Sequence, residues 1–130
     1  MAPPVLARRS LVPLLVLVAG LAISSDAGLA RRQEPIRREY VIKAHRYEFS
    51  ESRIEVARDD VVKITLVAED IPHSFTVDAY RIAKRAAPGS PVTFEFRADR
   101  PGTFPFYCNL TIDDGCRGMH GELVVTERQP

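Results

Sequence analysis

From Tyr40 onward the chain alternates apolar and polar side chains in short runs, and each run is cut off by a turn signal. Tyr40, Ile42, Tyr47 and Phe49 stand among Lys43, Arg46 and Glu48. Two-residue alternation is the mark of a strand with one buried face and one wet face. Further runs follow at Ile54 to Ala57, Val61 to Ala68, Ser74 to Asp78, Val92 to Ala98, Thr103 to Cys108 and Glu122 to Thr126. Asp59-Asp60, Pro72, Pro88-Gly89-Ser90 and Pro101-Gly102 separate them. Many short strands with regular turn signals predict an all-β sandwich. Only Tyr80 to Ala87 has a pattern suited to a helical turn or two, and Pro88-Gly89 would stop it. There is no βαβ alternation, no glycine-rich phosphate loop and no internal repeat, which argues against nucleotide-binding folds.

A chain of 130 residues has room for one such domain and an N-terminal extension. Residues 1–30 read as an export signal: a basic stretch ending Arg8-Arg9, an apolar run from Leu11 to Ile23, and small residues from Ser24 to Ala30. Cleavage is expected after Ala27 or Ala30. Arg8-Arg9-Ser10-Leu11-Val12 is similar to a loose twin-arginine signal. The apolar run is interrupted by Pro13 and Gly20 and falls short of the roughly twenty apolar residues that cross a bilayer, so no stable membrane span is expected. Residues 31–38, with Arg31, Arg32, Arg37 and Arg38, are expected to form a flexible basic N-terminus, and residues 39–128 the folded domain. After Ala30 basic and acidic residues balance, so the exported part lacks the electrostatic footprint of a nucleic-acid binder.

Chemistry concentrates near the C-terminus. Cys108, Cys116, Met119 and His120 fall within one short stretch, directly after the strand ending Phe104-Pro105-Phe106-Tyr107. Thiolate, thioether and imidazole together suit copper better than a hard cation. A loop between adjacent strands presents them closely, and a stiff sandwich limits rearrangement when the metal changes charge. His73, in Asp70-Ile71-Pro72-His73-Ser74-Phe75, is the candidate ligand from elsewhere, because it begins a strand and Pro72 rigidifies its approach. Two cysteines in an exported chain also fit a plain structural disulfide, Cys108 to Cys116. Asp113 and Asp114 read as a polar turn closed by Gly115. His45 reads as a surface histidine, and Phe104, Phe106 and Tyr107 as core and site lining.

Four stretches together resemble the cupredoxin family: Arg53-Ile-Glu-Val-Ala-Arg-Asp-Asp-Val-Val-Lys-Ile-Thr-Leu, Ile71-Pro-His-Ser-Phe, Pro101-Gly-Thr-Phe-Pro-Phe-Tyr-Cys, and Gly118-Met-His-Gly-Glu-Leu-Val-Val. The resemblance covers nearly all of Glu39 to Glu127. It implies a cupredoxin-like Greek-key β-sandwich, with His73 as the first histidine ligand, Cys108 as the cysteine ligand and Met119 as the axial methionine. By loop length the chain is most similar to the copper A-type domains of cytochrome c oxidase subunit II and nitrous-oxide reductase, whose pattern is Cys-x3-Cys-x3-His-x2-Met. Aligned without gaps, Cys108 and Met119 fit, while Ile112 stands at the second cysteine and Cys116 at the histidine. Matching Cys116-x3-His120 to Cys-x3-His instead needs an insertion after Cys108 and puts Leu123 at the methionine.

Three arrangements follow: one copper ion on His73, Cys108, Met119 and either Cys116 or His120; a rearranged two-copper site; or a disulfide without metal. His120 adjoins Met119, and neighbouring strand residues face opposite ways: in a bent loop both could bind, whereas strand geometry at Met119 would make Cys116 the better fourth ligand and His120 a rim residue. The expected function is electron transfer by an exported copper protein that transforms no substrate. The alternatives are a copper transport or assembly protein, or an accessory copper A-like subunit of an oxidase or reductase. The expected partner is a redox protein or a copper donor or acceptor.

Overall fold

Strand β4 (Val61–Ala68) shows how the alternation becomes structure. Val62, Ile64, Leu66 and Ala68 are buried, while Val61, Lys63, Thr65 and Val67 are half-exposed. A strand with one such face must pack it against another layer. In the computed structural model, which describes residues 2–5 and 34–129, that layer is a second sheet. The apolar run Leu11 to Ile23 and both expected cleavage positions lie outside the described residues.

The first sheet has the order β2-β1-β4-β7, with β1 (Arg37–His45), β2 (Glu48–Phe49) and β7 (Val92–Arg97). β1 runs parallel to β4 from Arg37 opposite Val61 to Ala44 opposite Ala68, and β7 runs antiparallel to β4. The second sheet has the order β3-β9-β8-β5-β6, with β3 (Arg53–Ala57), β5 (His73–Val77), β6 (Ile82–Ala86), β8 (Gly102–Tyr107) and β9 (His120–Thr126). β9 pairs in parallel with β3 and antiparallel with β8.

Ile42, Val62, Ile64 and Leu66 meet Ile54, Val56, Val77, Leu123 and Val125 in the layer between the sheets. Its aromatic centre is Phe75 stacked on Phe106 with ring centroids 4.8 Å apart, and Phe49 edge-on to both. Phe75 and Phe106 are essentially fully buried, each worth on the order of 2–3 kcal/mol of apolar transfer. β5 differs from the other strands in that all five of its residues are buried, including the polar His73, Ser74 and Thr76. It starts at the end of the sandwich where the cysteine strand β8 finishes.

The all-β sandwich read from the alternation is the observed fold. Two local expectations differ. Tyr80 to Ala87 does not form a helical turn: only Asp78–Tyr80 makes a 3-10 turn, ended by Arg81 in the left-handed region at φ 54°, and Ile82–Ala86 is strand β6. Two helical turns would leave most of their backbone groups unpaired, whereas pairing with β5 satisfies those on its inner edge and the strand buries Ile82 and Ala86. At the other end, β1 begins at Arg37, inside the stretch expected to be a flexible arm. The Arg38 guanidinium reaches 3.3 Å to the fully buried carboxylate of Asp60 and fastens the strand start. Among the described residues no helix is long and apolar enough to cross a membrane.

Candidate metal centre

His73 opens β5, and the three residues before it set its ring. Asp70 accepts hydrogen bonds from the backbone N–H of Ile71 at 2.7 Å, the backbone N–H of Arg46 at 2.7 Å, and His73 Nε2 at 2.8 Å. Loss of hydration at Asp70 opposes its charge, but the bonds from His73, Arg46 and Ile71 outweigh it and hold the carboxyl well below its usual range. An ionised carboxylate only accepts, so His73 Nε2 carries the hydrogen. In the neutral ring Nδ1 is then a bare lone pair, and it is buried with no hydrogen-bond partner. A ring with its outer nitrogen fixed by a carboxylate and its inner nitrogen open is the arrangement that metal-ligating histidines use.

Ser74 joins His73 to the cysteine strand. Its backbone N–H and its hydroxyl lie 3.5 and 3.7 Å from Cys108 Sγ. The same hydroxyl donates to Asn109 Oδ1 at 2.7 Å and accepts from Asn109 N–H at 2.8 Å. Cys108, directly after β8, is thus held beside the first turn of β5.

The remaining residues come from the connection between β8 and β9. Asp113 Oδ1 accepts from Gly115 N–H at 2.9 Å and starts a 3-10 turn over Asp114–Gly118. That turn places Cys116 inside, and backbone bonds then run from Met119 N–H to Cys116 O and from Cys108 N–H to Met119 O, each 3.1 Å. Cys108, Cys116 and Met119 are all buried, and the two sulfurs of Cys108 and Cys116 are joined in a disulfide. His120 is exposed, its Nδ1 2.9 Å from Gly118 O. The structure therefore brings His73, Cys108, Cys116 and Met119 to one buried end of the sandwich and turns His120 outward, as strand alternation requires after a buried Met119. Among the described residues no three His, Cys, Asp or Glu side chains form a ready metal cage. The disulfide withholds both thiolates, and thiolate is the form that binds metal.

Several neighbours carry roles that sequence patterns alone did not reveal. Asp70 precedes His73 by three residues, a spacing at which its carboxylate can reach back to the ring. Ser74 and Asn109 follow His73 and Cys108 directly, but only the meeting of β5 and β8 pairs them. A cleft of about 180 Å³ opens over Cys116, lined by Ile71, Pro72, Leu110, Ile112 and Asp113. His45, at the end of β1, is half-exposed with its Nε2 2.9 Å from Glu48 Oε1.

The profile of the cupredoxin-like domain family matches residues 13–125. Cytochrome c oxidase subunit 2 of Thermostichus vulcanus is 38% identical over 73 residues, which are 56% of this chain and 20% of that protein. The chain therefore matches about one fifth of the length of that relative. The periplasmic domain of subunit II of cytochrome oxidase of Bradyrhizobium japonicum superposes with a TM-score of 0.63 at 16% identity, covering 68% of this chain and 83% of that one. Auracyanin A, a "blue" copper protein of Chloroflexus aurantiacus, superposes with a TM-score of 0.58 at 16% identity, covering 69% of this chain and 99% of that one. At such identities these superpositions speak for the fold, and the sequence match over residues 13–125 carries the kinship: the chain belongs to the cupredoxin-like domain family.

Proposed function

We propose that the protein is an exported copper-binding electron-transfer domain whose metal is held by His73 Nδ1, the thiolates of Cys108 and Cys116, and the Met119 thioether. The observation that carries this reading is the buried, unpartnered Nδ1 of His73, beside a residue whose N–H and hydroxyl face Cys108 Sγ. Two thiolates, an imidazole and a thioether form a soft donor set that suits copper over zinc, calcium or magnesium. Bound copper would supply one-electron cycling, and the chain would transform no substrate. Asp70 would fix the ring of His73, Ser74 would direct its backbone N–H at the Cys108 sulfur and temper its basicity, and the packed sandwich would hold the ligands as the charge changes.

The Cys108–Cys116 disulfide makes reduction a precondition. A dithiol reductant would supply the two electrons and two protons that convert it to two thiols, becoming a disulfide itself, and copper would then displace the thiol protons. An oxidising compartment outside the cytoplasm would close the bond in the metal-free protein. Similarity to an oxidase subunit 2, and in fold to a "blue" copper protein, supports the electron-transfer reading, and the partner we propose is a redox protein. The paired cysteines favour a second reading, a carrier that takes reduced copper from a donor and passes it to an acceptor, since thiolate pairs suit Cu(I).

Uptake separates these readings. Protein reduced, freed of reductant and offered copper should retain one equivalent, with intense visible absorption from thiolate-to-copper charge transfer and reversible one-electron reduction. His73→Ala should lose that absorption. A colourless protein that holds only reduced copper would select the carrier reading. No copper retained after both thiols are shown free would refute both.

A further inference from the structure

The turn between β1 and β2 belongs to the first sheet, while all four proposed ligands belong to the second or to its β8–β9 connection. That turn nevertheless touches both halves of the site. The backbone N–H of Arg46 donates to Asp70 Oδ2 at 2.7 Å, the carboxylate whose other oxygen meets His73 Nε2. The next residue, Tyr47, donates its hydroxyl to Asp113 Oδ2 at 3.0 Å, and Asp113 Oδ1 caps Gly115 N–H at 2.9 Å. The Tyr47 ring lies directly on Gly115: a Cβ built there would stand 2.2 Å from Tyr47 Cε1. Gly115 is the residue before Cys116. Glycine at this position is thus required by the close approach of the ring, beyond its use in closing a polar turn.

From these contacts we propose that the Arg46-Tyr47 turn is a positioning device for the copper site, one arm acting on His73 through Asp70 and the other on Cys116 through Asp113 and Gly115. This inference rests on the copper reading above. The two arms come from adjacent residues, so a shift of either ligand-bearing segment relative to the other would break one of them. The Tyr47 ring is partly exposed, so its hydroxyl could bond to water instead. That it bonds to Asp113 keeps the short 3-10 turn from relaxing toward solvent when the disulfide is opened and only hydrogen bonds hold Cys116 near Cys108. Hydrogen bonding to the Asp113 carboxylate, with lesser effects of lost hydration and of the Asp113 charge, also raises the Tyr47 phenol above its usual range.

Tyr47→Phe keeps the ring on Gly115 and removes only the bond to Asp113. Amide exchange is read first, in the metal-free protein, because it does not depend on copper. The variant should exchange the Gly115 and Cys116 amides about five- to tenfold faster than wild type, the size expected for one lost hydrogen bond, with β4 amides unchanged. After reduction and copper loading, its thiolate-to-copper band should shift or broaden. Asp113→Asn, whose single side-chain oxygen can accept from Gly115 N–H while its amide NH2 donates to the Tyr47 hydroxyl oxygen, should stay near wild type in both readouts, while Asp113→Ala, which also loses the Gly115 cap, should exceed Tyr47→Phe. Wild-type exchange and a wild-type copper spectrum in Tyr47→Phe would overturn the proposal. Faster exchange in the variant, together with no copper uptake by reduced wild type, would overturn the copper reading and reduce the turn to a latch on the loop.

Discussion

Asp70 accepts three hydrogens from three different residues, and the order of chain segments explains why one carboxylate is shared among them. The Ile71 N–H is its own neighbour, His73 follows three residues on, and Arg46 comes from the facing turn. These bonds favour the ionised form, so the folded protein holds Asp70 below the value of 3.8 that an unfolded chain shows. The stabilising contribution is therefore complete above about pH 4 and is lost as pH falls through the lower folded value. Asp70→Asn retains an acceptor but has no charge to lose. The stability difference between wild type and Asp70→Asn, from denaturant midpoints, should be largest near neutrality and shrink steadily below about pH 4. A difference that grows on acidification would contradict this assignment.

The Asp70 carboxylate and the open Nδ1 of His73 also mark how far single residues could be read from sequence. His73, Cys108 and Met119 stand in recognisable surroundings, and each is buried at the same end of the sandwich. The choice between Cys116 and His120 turned on whether strand geometry already applies at Met119. Met119 has extended backbone, φ −81° and ψ 112°, directly before β9, and His120 is exposed. Ser74, Asn109 and Tyr47 were not legible as site neighbours, since each acts on a residue more than thirty positions away.

At the scale of elements, two contacts fix how β9 sits. Gly121, its second residue, is buried under Phe106: an added Cβ would approach Phe106 Cζ to 2.2 Å and the Ser52 carbonyl oxygen to 2.7 Å. Gly121→Ala should cost about 1–3 kcal/mol in thermal or denaturant unfolding, as overpacked cores do. It should also displace Met119 and Cys116 through the start of the strand. Past the other end of β9, the Arg128 guanidinium binds the fully buried Asp60, which also accepts from Arg38 and from the Ala57 N–H at 3.0 Å. One carboxylate thus ties the start of β1, the end of β3 and the C-terminal tail. Asp60→Ala should lower unfolding free energy by about 3 kcal/mol, the low end for breaking a buried ion pair, because both arginines keep some access to water. It should leave the copper site spectrum unchanged, since the clamp lies at the opposite end of β4 from His73.

Most elements follow from the alternation, because a two-residue period with β-branched residues leaves few alternatives to a strand. β6 escaped it: Ile82-Ala83-Lys84-Arg85-Ala86 lacks β-branched residues except at its start, so its local preference is weak and pairing with β5 decides. The parallel pairing of β1 with β4, and of β3 with β9, is likewise a long-range outcome that no local pattern encodes.

For the molecule as a whole, the disulfide and the metal compete for the same two sulfurs. The bond joins residues separated by 8 positions, so opening it should release chain entropy worth about 2.5 kcal/mol to the unfolded state. Reduced, metal-free protein should accordingly melt below the oxidised form, and copper should raise it again with the logarithm of its free concentration over its dissociation constant. If reduction left the melting temperature unchanged, the disulfide would not constrain the unfolded chain as argued. The cysteines lie outside the strands, and the aromatic centre at Phe75 and Phe106 with the two sheets should persist in all three states.

The central claim is that His73, Cys108, Cys116 and Met119 together hold one copper ion at this buried end. Copper analysis combined with electron paramagnetic resonance of the reduced and then copper-loaded protein tests it most directly. The account predicts one copper per chain and a four-line pattern that is lost in His73→Ala and kept in His120→Ala. A seven-line pattern from a mixed-valence pair would contradict the single ion, and a reduced protein that retains no copper would contradict the site.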